Sequence, residues 1–280
     1  MLALVTDSTA ALSRSEARSL AVDMLPMTYI VDGERIREQA CERNEGYAER
    51  LCKARSVSTE AVRTLSFAKV FQRHLKAGND VLCITISSRL SGTYRSACEA
   101  AALVNEPRTE GEPRVEVVDS HATAGALEFI VREARRIALT DNPSLPELAH
   151  RVRAVAERQR IVFTVSDMDA LRRSGRLGAF SRAVVSTLNR YPIMELAGGA
   201  IAKVGMVRGV NAAARALVAQ APEDAHEFVI SYFGERGAGT RRLLIALRRR
   251  FPSAVVRIKD GGPVLAANIG LGSAGLSWRA

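Results

Sequence analysis

The residues best suited to chemistry lie in one stretch: Ser87, Ser88, Ser91, Gly92 and Thr93, directly after the apolar run 81–86. That run is short and β-branched, and it reads as a buried strand. The alanine-rich segment after it reads as a helix. A strand, a small-residue turn and a helix leave the first N–H groups of the helix without internal partners, at the positive end of its dipole. Such a turn can hold an anion, with serine hydroxyls as further donors and Gly92 permitting close approach to the backbone. The plainer role for Ser91, and the one this segment favours by itself, is N-capping of the helix. From these residues alone both roles stay open.

Other polar clusters offer weaker chemistry. Asp7 and Ser8 follow a strand-like run at 2–5, where open α/β sheets place function. Residues 55–66, RSVSTEAVRTLS, read as a loop with Ser58, Thr59, Thr64 and Ser66 as possible ligand donors. Asp119-Ser120-His121 has the residue types of a serine hydrolase. Adjacent residues rarely face one another, however, and the G-x-S-x-G elbow is absent. Gly270, Gly272 and Gly275 match G-x-G-x-x-G, but there is no room after them for a βαβ unit, so they read as a terminal turn. His74, His121, His150 and His226 are scattered without metal-ligand spacing, so neither a metal nor a cofactor is expected.

The elements that must position these residues fit in 280 residues, enough for one large domain or two modest ones. The chain is 47% apolar and 25% charged, which provides a core and argues against wholesale disorder. The net charge of +10 allows an anionic partner, but the arginines are spread along the chain and the denser runs (132–136, 151–160, 241–250) read as polar helix faces. Aromatic residues are only 5%, too few to favour base stacking, so nucleic acid is not an expected partner. No window approaches a membrane span and no secretory signal is apparent; Cys41, Cys52, Cys83 and Cys98 form no C-x-x-C and suit a reducing cytoplasm.

Strands are expected at 2–5, 27–31, 81–86 and 115–118, alternating with helices at 10–21, 44–54, 67–77, 127–139 and 145–158. That alternation argues for an α/β fold with an open, largely parallel sheet. From residue 161 the pattern changes. Strands at 161–165, 191–195 and 200–207, with a hairpin turn at Gly198-Gly199, precede a helix at 210–221. A strand at 228–233, a helix at 240–251 and strands at 255–258 and 263–267 complete the reading, with a further helix at 179–188. The expected domains are 1–158, α/β, and 159–280, α+β.

Together these pieces resemble the DegV family, which includes the fatty-acid-binding subunits of bacterial fatty acid kinase. The resemblance rests on Val5-Thr6-Asp7-Ser8-Thr9-Ala10, Ser87-Ser88-Arg89-Leu90-Ser91-Gly92-Thr93-Tyr94, Val118-Asp119-Ser120, Ser174-Gly175-Arg176-Leu177 and Val207-Arg208-Gly209, in order over nearly the whole chain. It implies a two-domain fold with a long-chain fatty acid buried between the domains. The carboxylate would be held by Ser91, with Gly92 and Thr93 beside it, and by hydroxyls at Ser58 and Thr59. Ser120, Arg176 and Asn268 complete the candidate site, and Lys203 and Arg208 are possible nearby charges or docking groups. It further implies no chemistry of the protein's own: a separate kinase would phosphorylate the presented carboxylate, and any membrane contact would be transient. Two departures bear on the ligand. Glu60-Ala61-Val62 interrupts the family's Thr-Ser-Gln-Pro-like loop, and Asn268 stands where the family usually has histidine. Asparagine donates a hydrogen bond but carries no charge. An autonomous serine hydrolase using Ser91 or Ser120, or a binder of another long-chain carboxylic acid, is the alternative.

Overall fold

The computed structural model describes residues 2–105, 114–166, 168–176 and 189–279. The chain begins with β1 (Leu2–Asp7), α1 (Arg14–Ser19), β2 (Val22–Leu25), β3 (Thr28–Val31) and β4 (Glu34–Arg37). It continues through α2 (Tyr47–Lys53), β5 (Val57–Glu60), α3 (Thr64–Lys76), β6 (Asp80–Thr85), α4 (Thr93–Asn105) and β7 (Val115–Asp119). Two long helices follow, α5 (Ala124–Thr140) and α6 (Leu145–Arg158), then β8 (Ile161–Thr164), α7 (Met168–Arg173), β9 (Arg190–Ala197) and β10 (Ala200–Arg208). The last elements are α8 (Val210–Ala219), β11 (Glu227–Tyr232), α9 (Ala238–Arg250), β12 (Val255–Asp260), α10 (Pro263–Ile269) and β13 (Ala274–Arg279).

Among the described residues, the strands form three sheets. One is parallel, in the order β2-β1-β6-β7. Its central strands, LALVTD and DVLCIT, are buried along nearly their whole length, as strands covered on both faces must be. The second is mixed, β10-β9-β8-β13-β11-β12, with only β11 and β12 parallel. The third is a small antiparallel sheet, β4-β3-β5. The α/β architecture expected from the alternation is present.

The larger hydrophobic cluster joins the first two sheets: Leu4, Leu82 and Ile84 share it with Phe163 and Met194, and with Val264 of α10. A smaller cluster, including Leu217, Phe228 and Leu243, fills the space under α8 and α9. Charges also bridge the halves. Glu128 of α5 is fully buried and meets Arg132 Nε at 2.7 Å, Arg257 Nη2 at 3.3 Å and Lys259 Nζ at 2.7 Å. Lys259 reaches on to Glu16 at 2.6 Å, and Arg132 reaches the same carboxylate at 2.7 Å. Burial raises the pKa of Glu16, but hydrogen bonds from Lys259 and Ser13 outweigh it and hold the carboxyl at about 2.

Several local readings need correction. Residues 263–267 are helical, because Pro263 sits in the first turn of α10, where its missing N–H costs nothing. The supposed loop 55–66 contains β5 and the start of α3. The helix expected over 10–21 breaks at Ala11, which has φ 51°, and restarts at a capping box between Ser13 and Glu16. Gly270 and Gly272 connect α10 to β13 and Gly275 lies within β13, the reverse of a phosphate-binding strand–turn–helix. The helix expected at 179–188, and Leu177, lie outside the described residues.

Candidate functional site

Asp7 sets up the serine turn. Its buried carboxylate accepts hydrogen bonds from Thr9 N–H (3.0 Å), Thr9 Oγ1 (2.6 Å) and Ile86 N–H (2.7 Å), fixing where β6 ends. Burial raises the Asp7 pKa above the ordinary carboxyl value, outweighing the opposite pull of these hydrogen bonds. Beyond Ile86, the N–H groups of Leu90 and Ser91 close onto the Ser87 carbonyl, making a compact turn before α4. The Ser91 hydroxyl accepts from Thr93 N–H at 3.3 Å and shares a hydrogen bond with Thr93 Oγ1 at 3.0 Å. Ser91 therefore does cap the start of α4, and it also lines a cavity.

That cavity, of about 290 Å³, lies between the carboxyl end of the parallel sheet and the mixed sheet. Its walls are largely apolar: Met27, Ile86 and Leu90 on one side, Phe163, Leu196 and Ile201 on the other, with Val264, Leu265 and Ile269 from α10. Its size falls near the lower end of the roughly 300–1,000 Å³ seen for small-molecule pockets. Polar groups occur at Thr59, Ser91, Thr123, Arg176 and Asn268, all lining the cavity. Asn268 Nδ2 donates to the Val264 carbonyl (2.7 Å) and reaches Thr59 Oγ1 at 3.4 Å. Arg176 donates through Nε to the Leu90 carbonyl (3.4 Å), which places its guanidinium beside the serine turn.

Five of the eight residues singled out from sequence thus meet at this cavity: Ser91, Gly92, Thr59, Arg176 and Asn268. The others do not line it. Ser58 precedes Thr59 on β5, so the alternation of a strand turns it away; it is exposed and lines an adjoining cleft of about 800 Å³. That cleft shares Thr59, Arg176 and Asn268 with the cavity and adds Arg55 and Arg173. Thr93 is buried, and its hydroxyl accepts from Val62 N–H at 3.3 Å. Ser120 is buried as well, its hydroxyl closing a turn onto Ala122. His121 lies 3.4 Å from Asp119, and among the described residues no histidine lies within hydrogen-bond distance of Ser91 or Ser120. Among the described residues, neither serine therefore has a histidine in the position of a base.

Thr123 escaped the sequence reading. It precedes α5, lines the cavity and has a buried hydroxyl with no hydrogen-bond partner. Its position just after β7, where functional groups gather in open sheets, was the available signal.

Glu38 pins α10 to the Met27 wall of the cavity. Its carboxylate accepts from Val264 N–H (3.1 Å) at the start of α10 and from the Ser8 hydroxyl, whose oxygen accepts from Met27 N–H (3.0 Å). Val264 and Met27 both line the cavity. Burial pushes the Glu38 carboxyl up to about 8; Asp7 and Asp260 push the same way, against the hydrogen bonds from Ser8 and Val264.

The β9–β10 hairpin covers the mixed-sheet side and is fastened at its tip, where Ser87 Oγ donates to the Gly199 carbonyl at 2.7 Å. Gly199 has φ 81°, and a Cβ there would lie 2.4 Å from Ser87 Oγ. Gly199→Ala is expected to undock the tip, lowering stability by about 1–3 kcal/mol. Thermal unfolding reads the loss, and an unchanged midpoint would remove the tip from the structure's fastenings.

A model of the DegV family, described as "Uncharacterised protein, DegV family", matches residues 1–280. The chain belongs to the DegV family. A DegV domain-containing protein of Halalkalibacterium halodurans is 30% identical over 99% of this chain and 98% of its own. Among solved structures, a DegV lipid-binding protein from Thermotoga maritima has TM-score 0.86 at 24% identity, covering 99% of this chain and 98% of that one. A stearic acid-binding protein from Eubacterium ventriosum has TM-score 0.82 at 24% identity, covering 100% and 98%. At that identity these two structures show the fold. Among the described residues of this DegV chain, no helix is long and apolar enough to cross a membrane, and no cluster of His, Cys, Asp or Glu could hold a metal ion.

Proposed function

We propose that this DegV protein is a carrier that buries a long-chain fatty acid in the cavity between its two larger sheets. The observation that carries the proposal is a largely apolar cavity with Thr59, Ser91, Arg176 and Asn268 on its lining. The stearic acid-binding relative of the same fold supports it. An acyl chain gains roughly 0.8 kcal/mol per buried methylene, so about fourteen methylenes supply on the order of 11 kcal/mol before ordering costs. The carboxylate needs compensation, since an isolated buried charge is very costly. The Ser91 hydroxyl and the Thr59 and Asn268 side chains supply donors, with Arg176 as the nearby cation.

In this reading the division near residue 158 separates two domains that close over the ligand, and the protein acts in the cytoplasm. The bound carboxylate faces the cleft that carries Arg55 and Arg173. A separate fatty acid kinase reaches it there and forms the acyl phosphate; the DegV chain supplies position, not catalysis. Asn268, being neutral, leaves Arg176 as the formal charge among the site residues carried over from the family pattern.

Native mass spectrometry with organic extraction tests the reading. The purified protein is expected to carry a mass excess that extraction identifies as a fatty acid. Ser91→Ala removes a charge-assisted hydrogen bond and should weaken binding by about 1.5–3 kcal/mol, roughly 10- to 150-fold, with the fold intact. A clean apo mass with no uptake of offered fatty acids would sink the assigned ligand. A different long-chain acid in the extract would instead redirect it.

A further inference from the structure

Far from the serine turn, α8 and α9 pack side by side and leave a groove of about 600 Å³ on the outer face of the mixed-sheet half. Each helix sends one stripe to it. Asn211, Arg215, Val218 and Ala219 follow the i, i+4, i+7, i+8 spacing of a single face of α8. Arg242, Ile245, Ala246 and Arg249 do the same on α9 at i, i+3, i+4, i+7. The centre is therefore apolar and the rim is arginine.

Two features set this groove apart from an ordinary polar helix face. Ile245 is 60% exposed, a large apolar side chain without a partner. The arginines are uncompensated too. Elsewhere arginines such as Arg73, Arg114, Arg136 and Arg153 pair with carboxylates. Among the described residues, no carboxylate lies within ion-pair distance of Arg215, Arg242 or Arg249, and neither α8 nor α9 contains an acidic residue. Arg250 differs: it donates to the Val218 carbonyl at 2.7 Å and so ties the end of α9 to α8.

We infer that the groove between α8 and α9 receives an acidic, amphipathic helical segment of a partner protein. A helix laid in the groove places its apolar stripe on Val218, Ile245 and Ala246. Its flanking carboxylates meet Arg215 on one rim and Arg242 and Arg249 on the other, in the forked geometry that guanidinium groups favour. A flat anionic bilayer reaches the arginines and Ile245 but not Val218, which is only 3% exposed. Nucleic acid gains little from an apolar floor, and no aromatic side chain lines the groove for stacking.

The test uses the full chain and a fluorescein-labelled peptide as long as α9, with leucines along one helical stripe and glutamates flanking it. Fluorescence anisotropy is expected to show binding that falls with added salt, and no binding of the same peptide with lysine in place of glutamate. Arg242→Glu/Arg249→Glu should weaken binding by about tenfold or more, and Ile245→Ser should weaken it at any salt concentration. These side chains are exposed, so the thermal midpoint should hold. Failure of the acidic peptide to bind, or binding indifferent to the variants, overturns the proposal. So does tighter, variant-sensitive binding of phosphatidylglycerol vesicles or a single-stranded oligonucleotide.

Discussion

Lys259→Met is expected to destabilise the protein by about 3–5 kcal/mol, the usual cost of removing one partner from a buried ion pair. Lys259 is only 8% exposed, and its ammonium lies between Glu16 and Glu128, with the Ala11 carbonyl at 3.3 Å. Methionine fills the stem's volume but leaves two carboxylates facing each other, one of them wholly buried. Arg132 still bridges Glu128 and Glu16, and Arg257 still contacts Glu128, which places the loss toward the lower end of that range. Urea unfolding at neutral pH measures the effect. The double variant Lys259→Met/Glu128→Gln should recover part of it, because the stranded charge is then gone. A loss below about 1 kcal/mol for Lys259→Met would assign the cluster to the class of weak surface pairs.

Glu38 makes stability fall as pH rises from about 4.5 to about 8. Its folded-state pKa is raised to about 8 from 4.5, with burial the main cause. Between those values the folded protein holds a proton that the unfolded chain has released, so each increment of pH favours unfolding. The stabilising contribution is complete below the unfolded pKa and is lost as pH climbs through the folded one. Between pH 4.5 and 8 the swing is on the order of 4 kcal/mol. Glu16 works in the other direction and in another window: its pKa is depressed to about 2, so its contribution is present above the unfolded value and lost on acidification toward 2. Glu38→Gln keeps the shape and removes the proton. Unfolding curves at pH 5 and pH 8 should converge in this variant relative to the parent. Equal pH slopes in the two proteins would show that Glu38 does not hold the proton.

The serine turn was legible because strand, turn and helix are contiguous there, and each announces itself by composition. Thr59 was legible as a donor but not as a strand residue, since VSTE lacks the apolar alternation of a half-buried strand. Asn268 was reached through the motif around it, while its own helix was missed: seven residues opening with proline look like an extended apolar run. β4, ERIR, has no buried residue, and β13, AGLSWR, is buried at nearly every position, so neither shows a clean period of two. The capping box at Ser13–Glu16 was readable and would have split the first helix correctly. Nothing local could have shown the Glu38–Val264 bond or the Glu16–Lys259 pair. Their partners lie more than 200 residues apart, and only the folded chain brings them together.

The order of the mixed sheet has a consequence for synthesis on the ribosome. β13 is the last strand of the sheet to be translated, yet it lies in the interior, hydrogen-bonded to β8 on one side and β11 on the other. Until residue 279 clears the exit tunnel, β8–β9–β10 and β11–β12 are two separate ribbons with open edges where β13 belongs. The parallel sheet, with all four strands translated by residue 119, faces no such delay. Nascent chains stalled before Ala274 should therefore display unpaired strand edges to chaperones, and the wall of the cavity contributed by the mixed sheet is completed only after translation of β13.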